Sequence, residues 1–418
     1  MNVLFVHQNF PGQFLHLAKY LAAQPEHTVT GLHIMDNPIP PGVQSVRYTV
    51  QPPKAREGHP WLADLGTKLS RAEAAFARCM ALKQAGYQPD VIVAHPGWGE
   101  SLLLKEVWPN VPLGIYCEFY YHTQGADLGF DPEFPGDSTN AAGRLRLKNA
   151  NHDMHMAIAD AGIAPTQWQR SVFPAAFKDK ISVIHEGIDT DLACPKPDVR
   201  LGLKTANGTL ALSREDEVIT FVNRNLEPYR GYHVFMRSLP ELLRRRPKAR
   251  VLIVGADSVS YGSTPEAVGH PKGSTWKDIF LKEVQGELDI SRVHFLGRIP
   301  HPLFTQLIQL SAVHVYLTYP FVVSWSLLEA MSAGCAIVAS DTPPVREMIE
   351  HDKTGLLVNF FDRQGLVERV CELCDAPSLR QQLGAAARAF ALEHYALDSC
   401  LKRQLSWVDS LAKSSLGR

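Results

Sequence analysis

No run in this 418-residue chain approaches the roughly 20 apolar residues needed to cross a bilayer. The opening Met1-Asn2-Val3-Leu4-Phe5-Val6 is too short for a secretory signal and lacks its basic leader. Cysteine is scarce: Cys79, Cys117, Cys194, Cys335, Cys371, Cys374 and Cys400 are an odd number, scattered along the chain. That excludes the disulfide framework of a small secreted domain and leads us to expect a reducing, cytoplasmic compartment. Cys371 and Cys374 share a helical pattern with no second pair to complete a zinc site, so they read as small core residues. An excess of one charge sign is also missing. With 42 Lys and Arg against 43 Asp and Glu, nucleic acid is not expected as a partner, because phosphate backbones are held by clustered cations. The dinucleotide pattern G-x-G-x-x-G does not follow the first strand, which argues against NAD or FAD. No cofactor is expected.

What is present is a globular composition, 45% hydrophobic and 20% charged, in a chain too long for one core of ordinary size. Short β-rich runs alternate with helical patterns. The first series places strands at 3–6, 28–33, 90–94, 112–116, 156–159 and 181–184, with a long helix from about Trp61 to Ala85. Residues 194–216, with Pro195, Pro197, Gly202, Asn207 and Gly208, suit an inter-domain linker. A second series then places strands at 218–222, 250–254, 293–295, 313–317, 336–339 and 356–358, followed by helices from Ser378 that change pattern at Tyr395. Alternation of this kind implies mostly parallel sheets covered on both faces, an α/β fold of two doubly wound domains.

Ligands of open parallel sheets sit beyond the carboxyl ends of the strands, so chemistry is sought there. After the first strand, Gly12 opens a helix where backbone N–H groups can approach an anion, or where the chain simply needs a tight turn. In the second series, Phe221-Val222-Asn223-Arg224-Asn225-Leu226-Glu227-Pro228-Tyr229-Arg230-Gly231 carries two guanidinium groups six residues apart on a strand-end loop. They suit a doubly charged pyrophosphate, or are solvated surface cations. Glu329 lies among Leu327, Leu328, Ala330 and Met331 on a helix that must pack on a sheet. A carboxylate there costs free energy without a partner, and a ribose diol would be one. A solvent-facing Glu is the alternative.

The run from Val293 to Val358, with 218–231, resembles the donor-binding half of retaining GT-B glycosyltransferases of family 4, the "glycosyl transferases group 1". Looser similarity covers 1–20 and Val183-Ile184-His185-Glu186-Gly187-Ile188-Asp189. The resemblance implies two facing Rossmann-like domains with a cleft between them. Residues 1–192 would form the acceptor side and 193–395 the nucleotide-sugar side, with a final helix, about 396–418, packing back on the first domain. It implies that Arg224 and Arg230 hold the donor diphosphate, joined by the backbone around Ser324, Trp325 and Ser326. Gly297, Arg298 and Ile299 would meet the base, and Glu329 the ribose. Glu118, His95 and His122 would stand near the reacting sugar, with structural roles at sheet ends the competing explanation. His152 and His155 are read as structural.

Three positions depart from the family pattern: Phe321 replaces a Glu, Ser324 a Gly, and His185-Glu186-Gly187 a Pro-Asn-Gly. No Asp-x-Asp triplet is read in the sequence, so no divalent metal is expected, an expectation to be set against Asp189-Thr190-Asp191 below. The implied partners are a nucleoside-diphosphate sugar and an acceptor the sequence does not name. The helix carrying Trp61, Leu62, Leu65, Leu69, Phe76 and Met80 beside Lys68, Arg71, Arg78 and Lys83 either packs on the sheet or makes a peripheral membrane contact. A sugar-nucleotide epimerase, or a non-catalytic nucleotide-sugar-binding protein, are the alternative functions.

Overall fold

A computed structural model describes residues 1–50, 59, 61–135, 138–205 and 208–414. The chain divides into two compact units, one of 1–123, 137–187 and 398–418, the other of 124–136 and 188–397. The first unit has strands β1 (Asn2–Val6), β2 (Thr28–His33), β3 (Val43–Arg47), β4 (Val91–Ala94), β5 (Leu113–Tyr116), β6 (Ala161–Ala164) and β7 (Ile181–Val183). Its helices are α1 (Leu15–Ala22), α2 (Leu62–Gln84), α3 (Leu104–Val107), α4 (Ser138–Ile158), α5 (Gln167–Ser171) and α6 (Ala175–Lys178). The strands form one parallel sheet in the order β3-β2-β1-β4-β5-β6-β7.

Strand alternation explains why both faces of this sheet are covered. Leu4 and Val6 of β1 join Ile92 and Ala94 of β4 in one apolar cluster. Val3, Phe5, Val91 and Val93 point the other way into a second. That second face is closed by helix α14 (Leu397–Lys413) through Trp407, Val408 and Leu411. A Cβ on Gly114 of β5 would stand 2.4 Å from the Trp407 ring, so this position must lack a side chain for the helix to seat.

The second unit begins with β8 (Arg200–Thr205) and β9 (Gly208–Ser213), an antiparallel hairpin. The interval expected to be a linker therefore contains structure, its short strands masked in the sequence by Pro and Gly; Asn207 lies outside the described residues. A parallel sheet follows from β10 (Val218–Asn225), β11 (Arg250–Ala256), β12 (Val293–Gly297), β13 (Val313–Tyr316), β14 (Ile337–Ser340) and β15 (Leu356–Val358), in the order β12-β11-β10-β13-β14-β15. Its helices are α7 (Tyr232–Arg245), α8 (Trp276–Val284), α9 (His301–Leu310), α10 (Trp325–Ser332), α11 (Pro343–Arg346), α12 (Arg363–Asp375) and α13 (Pro377–Tyr395). Two parallel α/β sheets is the fold class read from the sequence.

Some elements differ from the reading. Met156–Ala159 is not a strand: α4 runs to Ile158 and the strand is Ala161–Ala164. Strand β3 is absent from the reading, and the last residues of the expected final helix, 415–418, lie outside the described residues. Segment 124–136, which falls inside the 1–192 division, belongs to the second unit. There Phe130 packs on Tyr319, Phe360 and Phe361 and Phe134 on Trp276 and His233. Asp131 accepts from the Tyr319 hydroxyl at 2.7 Å. Among the described residues no helix is long and apolar enough to cross a membrane.

Trp407→Ala should lower the unfolding free energy of the first unit by about 3–5 kcal/mol, the usual cost of deleting a core aromatic. Denaturant titration followed by circular dichroism checks this. A change below about 1 kcal/mol would show that α14 contributes little to that core.

Candidate functional site

Both sheets reverse their strand order once, between β1 and β4 and between β10 and β13. The loops leaving these paired strands diverge and open a crevice at their carboxyl ends. Polar side chains collect in both places.

In the first unit the loop after β1 supplies His7 and Gln13, the loop after β4 His95, and the end of β5 Glu118. His7 Nδ1 accepts the Asn9 N–H at 2.9 Å, so its Nε2 carries the proton and donates to Gln13 Oε1 at 2.7 Å. Gln13 Nε2 in turn donates to Glu118 Oε1 at 3.1 Å. His95 is oriented the same way: Nδ1 accepts the Gly97 N–H at 3.1 Å, leaving Nε2–H 3.4 Å from Glu118 Oε2. That distance is an ion-pair contact rather than a full hydrogen bond. Burial opposes charge on Glu118, but the donors from His95 and Gln13 outweigh it and hold the carboxyl below its ordinary value. His7 is pushed the other way, to about 3, by burial and then by His95, and stays neutral.

The result is a half-exposed carboxylate, kept ionised, with the neutral His7 imidazole and the His95 ring behind it. Gly12 supports the arrangement sterically. At φ 47° a Cβ there would meet His7 Nε2 at 2.4 Å, so the residue first makes room for the imidazole. His122 is not brought into this cluster: its Nε2 donates to the Val172 carbonyl at 2.7 Å. His155 is fully buried, with Nδ1 2.6 Å from the Asn151 carbonyl oxygen, whereas His152 lines a pocket with Lys68, His95, Gly97, Tyr116, Glu118, Phe119, Tyr121 and Lys148. Glu186 accepts from the Tyr116 hydroxyl.

In the second unit Arg224 ends β10 and is exposed. Arg230, 6% exposed, donates to Thr318 Oγ1 at 2.8 Å and to the Val322 carbonyl at 3.0 Å. The rings of Tyr261 and Phe321 flank its guanidinium at 5.1 and 5.9 Å. The two arginines thus differ: one faces solvent, the other is a buried cation cushioned by aromatic faces. Between them Glu227, 1% exposed, accepts the N–H groups of Ser260 and Tyr261 at 2.9 and 3.0 Å. Its other oxygen has no hydrogen-bond partner among the described residues. Burial raises its pKa to about 7 despite those donors and the nearby arginines. Sequence reasoning passed over Glu227, although a carboxylate before Pro228, between two arginines, was a visible signal.

Ser324 caps α10, its hydroxyl accepting the Ser326 N–H at 3.3 Å, and its own N–H donates to the Tyr316 hydroxyl at 2.8 Å. Those two backbone groups already have partners. Trp325 is 37% exposed. At the end of β12, Gly297 has φ 63° and a Cβ built on it meets nothing within 4 Å, so its backbone faces open space. Arg298 is exposed beside it, while Ile299 packs on the core. Glu329 is half-buried, and its partner is a protein group: His301 Nε2 stands 2.6 Å away. That hydrogen bond holds the imidazole above its usual pKa.

An Asp-x-Asp triplet does occur just before this half, as Asp189-Thr190-Asp191, but it serves a turn in which Asp189 Oδ1 accepts the Leu192 N–H at 2.9 Å. Among the described residues, the side chains that come nearest to a metal-ligand set are Asp131, Glu133 and His233, whose ligand atoms lie within 4.8 Å of one another. Both Glu133 oxygens, however, accept from Arg237 at 2.6 and 2.7 Å, and that guanidinium repels a cation.

Glu227 makes a pH prediction. From 4.5 to about 7 the folded chain keeps a proton that the unfolded chain has lost, so stability falls as pH rises through that window and levels off above it. Glu227→Gln should remove this slope, worth roughly 3 kcal/mol. Urea midpoints at pH 5 and pH 8 in both proteins measure it; parallel slopes would show that Glu227 is charged in the fold.

Comparison with known proteins adds to this geometry. Residues 25–193 match the family model described as "Glycosyl transferase family 4 group" and residues 208–390 that described as "Glycosyl transferases group 1". The chain is 26% identical over 255 residues to the GDP-mannose-dependent alpha-(1-6)-phosphatidylinositol monomannoside mannosyltransferase of Mycolicibacterium smegmatis, covering 60% of this chain and 61% of that one. It is 30% identical over 185 residues to the phosphatidyl-myo-inositol mannosyltransferase of the same organism, covering 43% and 42%. In both cases less than two thirds of the relative is spanned. The fold is shared with sucrose-phosphate synthase from Thermosynechococcus elongatus, at TM-score 0.73 and 16% identity over 99% of this chain and 100% of that one. It is shared too with Anabaena HepE in complex with UDP and glucose, at 0.65 and 17% over 98% and 100%. With one family model on each half and the fold common to nearly all of its length, the chain belongs to the GT-B glycosyltransferases of the family 4 type.

Proposed function

We propose that the protein transfers a glycosyl group from a nucleoside-diphosphate sugar to an acceptor, with retention of configuration and without a divalent metal. The observation that carries this reading is the crevice of the second sheet. There Arg224 and Arg230 lie on one strand-end loop, and the open backbone of Gly297 and the half-buried Glu329 lie on neighbouring elements. Glycosyl departure from a nucleoside diphosphate leaves negative charge on the phosphate. Fixed cations stabilise that charge most strongly where water is excluded. Arg224 supplies an exposed guanidinium for direct contact; Arg230 supplies a buried positive potential whose donors can turn from Thr318 and Val322 to a phosphate oxygen.

On the other side, Glu118 is the carboxylate that receives an acceptor proton or faces the cationic sugar carbon, with His95 fixing its position. Phe321, where related enzymes carry Glu, makes the donor-sugar region aromatic. Support for the donor class comes from the Anabaena neighbour seen with UDP and glucose. Support for an inositol-bearing acceptor comes from the names of the mannosyltransferase relatives and of a D-inositol 3-phosphate glycosyltransferase of Corynebacterium efficiens. Buried thiols such as Cys79, Cys117 and Cys335 are in keeping with a cytoplasmic setting.

Incubating the protein with a panel of nucleotide-sugars and acceptors, with and without EDTA, tests the reading. Transfer should persist in EDTA and the product anomer should match that of the donor. Activity lost in EDTA and restored by Mn²⁺ would overturn metal independence, and conversion of the donor with no acceptor present would favour an epimerase.

Arg224→Ala should weaken nucleoside-diphosphate binding by about tenfold or more, the worth of a charge-assisted hydrogen bond. Glu329→Gln should weaken UDP, or whichever ribonucleotide binds, far more than its dideoxy analogue. The analogue controls for the release of His301. Equal losses for both ligands would place Glu329 in loop support rather than ribose contact.

A further inference from the structure

Segment 124–136 forms a strap of the second unit, although the chain on either side of it belongs to the first. Three acidic side chains of the strap meet three side chains spaced four apart at the start of α7. Asp127 Oδ2 accepts from the Tyr229 hydroxyl at 2.6 Å. Asp131 Oδ2 stands 3.0 Å from His233 Nε2, and both Glu133 oxygens accept from Arg237. Residues four apart lie along one side of a helix, so the strap follows α7 and the turn before it. Asp131 reaches further. The same Oδ2 accepts from the hydroxyl of Tyr319 on the loop after β13, and its Oδ1 accepts the Glu133 N–H at 2.9 Å. Asp131 is 2% exposed, and a carboxylate so buried is tolerated because these donors meet it. Phe130, packed on Tyr319, and Phe134, packed on His233, seat the strap on either side of it.

These contacts bracket Arg230. Tyr229, which precedes it in the chain, is held by Asp127. Thr318 accepts from Arg230 at 2.8 Å, and the next residue, Tyr319, is held by Asp131. The two loops are also joined to each other. The Tyr319 N–H donates to the Tyr229 carbonyl at 3.1 Å, and their ring centroids stand 4.8 Å apart. A Cβ on Gly231 would come within 2.3 Å of Leu317 Cβ, so the backbones meet at closest approach. A fixed cation stabilises a ligand's charge best when it is aimed beforehand, because no reorganisation is then needed on binding. A strap that clamps both loops supplies that aim. We propose that Asp127 and Asp131 are positioning residues for the donor: by holding Tyr229 and Tyr319 they fix Arg230 between the two loops for the diphosphate. Their action runs through Arg230 rather than through contact with the nucleotide. This deepens, and rests on, the reading of Arg230 as a diphosphate ligand.

The test uses the full chain and a double-mutant cycle. UDP, GDP and ADP are titrated by calorimetry, and the tightest of them serves as the probe. Asp131→Asn keeps volume and removes charge; the pair Tyr229→Phe with Tyr319→Phe deletes two hydroxyls and nothing else. Each of these two proteins should bind the probe about tenfold more weakly, as should Arg230→Ala. Placed on the Arg230→Ala background, the same strap changes should cost no more than about twofold further, because the side chain they aim is gone. A brace that only stabilises the fold would not produce that loss of additivity. Melting curves verify folding, and the two Phe substitutions carry the cycle if Asp131→Asn does not fold. Strap variants that bind as wild type does while Arg230→Ala is impaired, or losses that add in full, overturn the proposal and leave the donor-site reading standing. Arg230→Ala binding as tightly as wild type, or no binding of any of the three nucleotides, removes the donor-site reading and the proposal with it.

Discussion

A parallel sheet with helices on both faces leaves little room for polar chemistry except at the ends of its strands, and an interior exception such as Thr220 is bonded to Ser311 and His314. Both faces of β1 and β4, and Val218, Val222 and Tyr316 of β10 and β13, meet apolar clusters, where an unpaired polar group costs several kilocalories. The structure follows from that constraint. Connections that run in opposite directions from the two central strands leave a crevice at each reversal of strand order. The side chains that need partners gather there: His7, Gln13, His95 and Glu118 in one unit, Glu227, Arg230, Thr318 and Ser324 in the other. Their positions are consequences of topology, and their states are consequences of which neighbours the topology brings.

Those states are opposite in the two units. Glu118 is surrounded by donors and stays ionised. Glu227 accepts two backbone donors, yet burial raises it to about 7. A carboxylate fully charged beside Arg230 would cancel part of the positive potential on which a diphosphate depends. One held near neutrality anchors the 260–261 backbone and leaves the arginine's field largely intact. Phe321 works in the same direction, since an aromatic ring replaces what would have been a second negative charge next to that guanidinium. Under the proposed function, the crevice of the second sheet would suit an anion and that of the first a proton or a cation, the division of labour a glycosyl transfer requires.

The strands of both sheets were legible because each is a compact β-rich run bounded by turn residues. The exceptions have physical causes. Val43-Gln44-Ser45-Val46-Arg47 is an edge strand whose exposed positions dilute the apolar signal, and Met156–Ala159 has strand-like composition but finishes a long helix. Arg224, Arg230 and Glu329 could be singled out as candidates from local pattern, and Gly297 from the family resemblance. The chain of contacts from His7 through Gln13 to Glu118 could not, because its last link joins residues 105 apart. Nor could periodicity show that Lys68 turns inward, when the pattern of α2 reads it as one of several surface cations; that side chain is placed by α4 and the loop after β4. Glu329 was rightly singled out as needing a partner, but His301 is 28 residues away and no rule of spacing connects them.

The course of the chain has one further consequence, for synthesis on the ribosome. Phe130 and Phe134 emerge long before Tyr319, Phe360 and Trp276, the rings that cover them. Meanwhile the first sheet, whose strands are complete by Val183, waits for Trp407 and Leu411 to close one of its faces. Neither half of the nascent protein can hide its apolar surface by itself. The rings that cover Phe130 and Phe134 are in place by Phe361, but one face of the first sheet stays open until α14 has left the exit tunnel, so this chain should lean on holdase chaperones during translation.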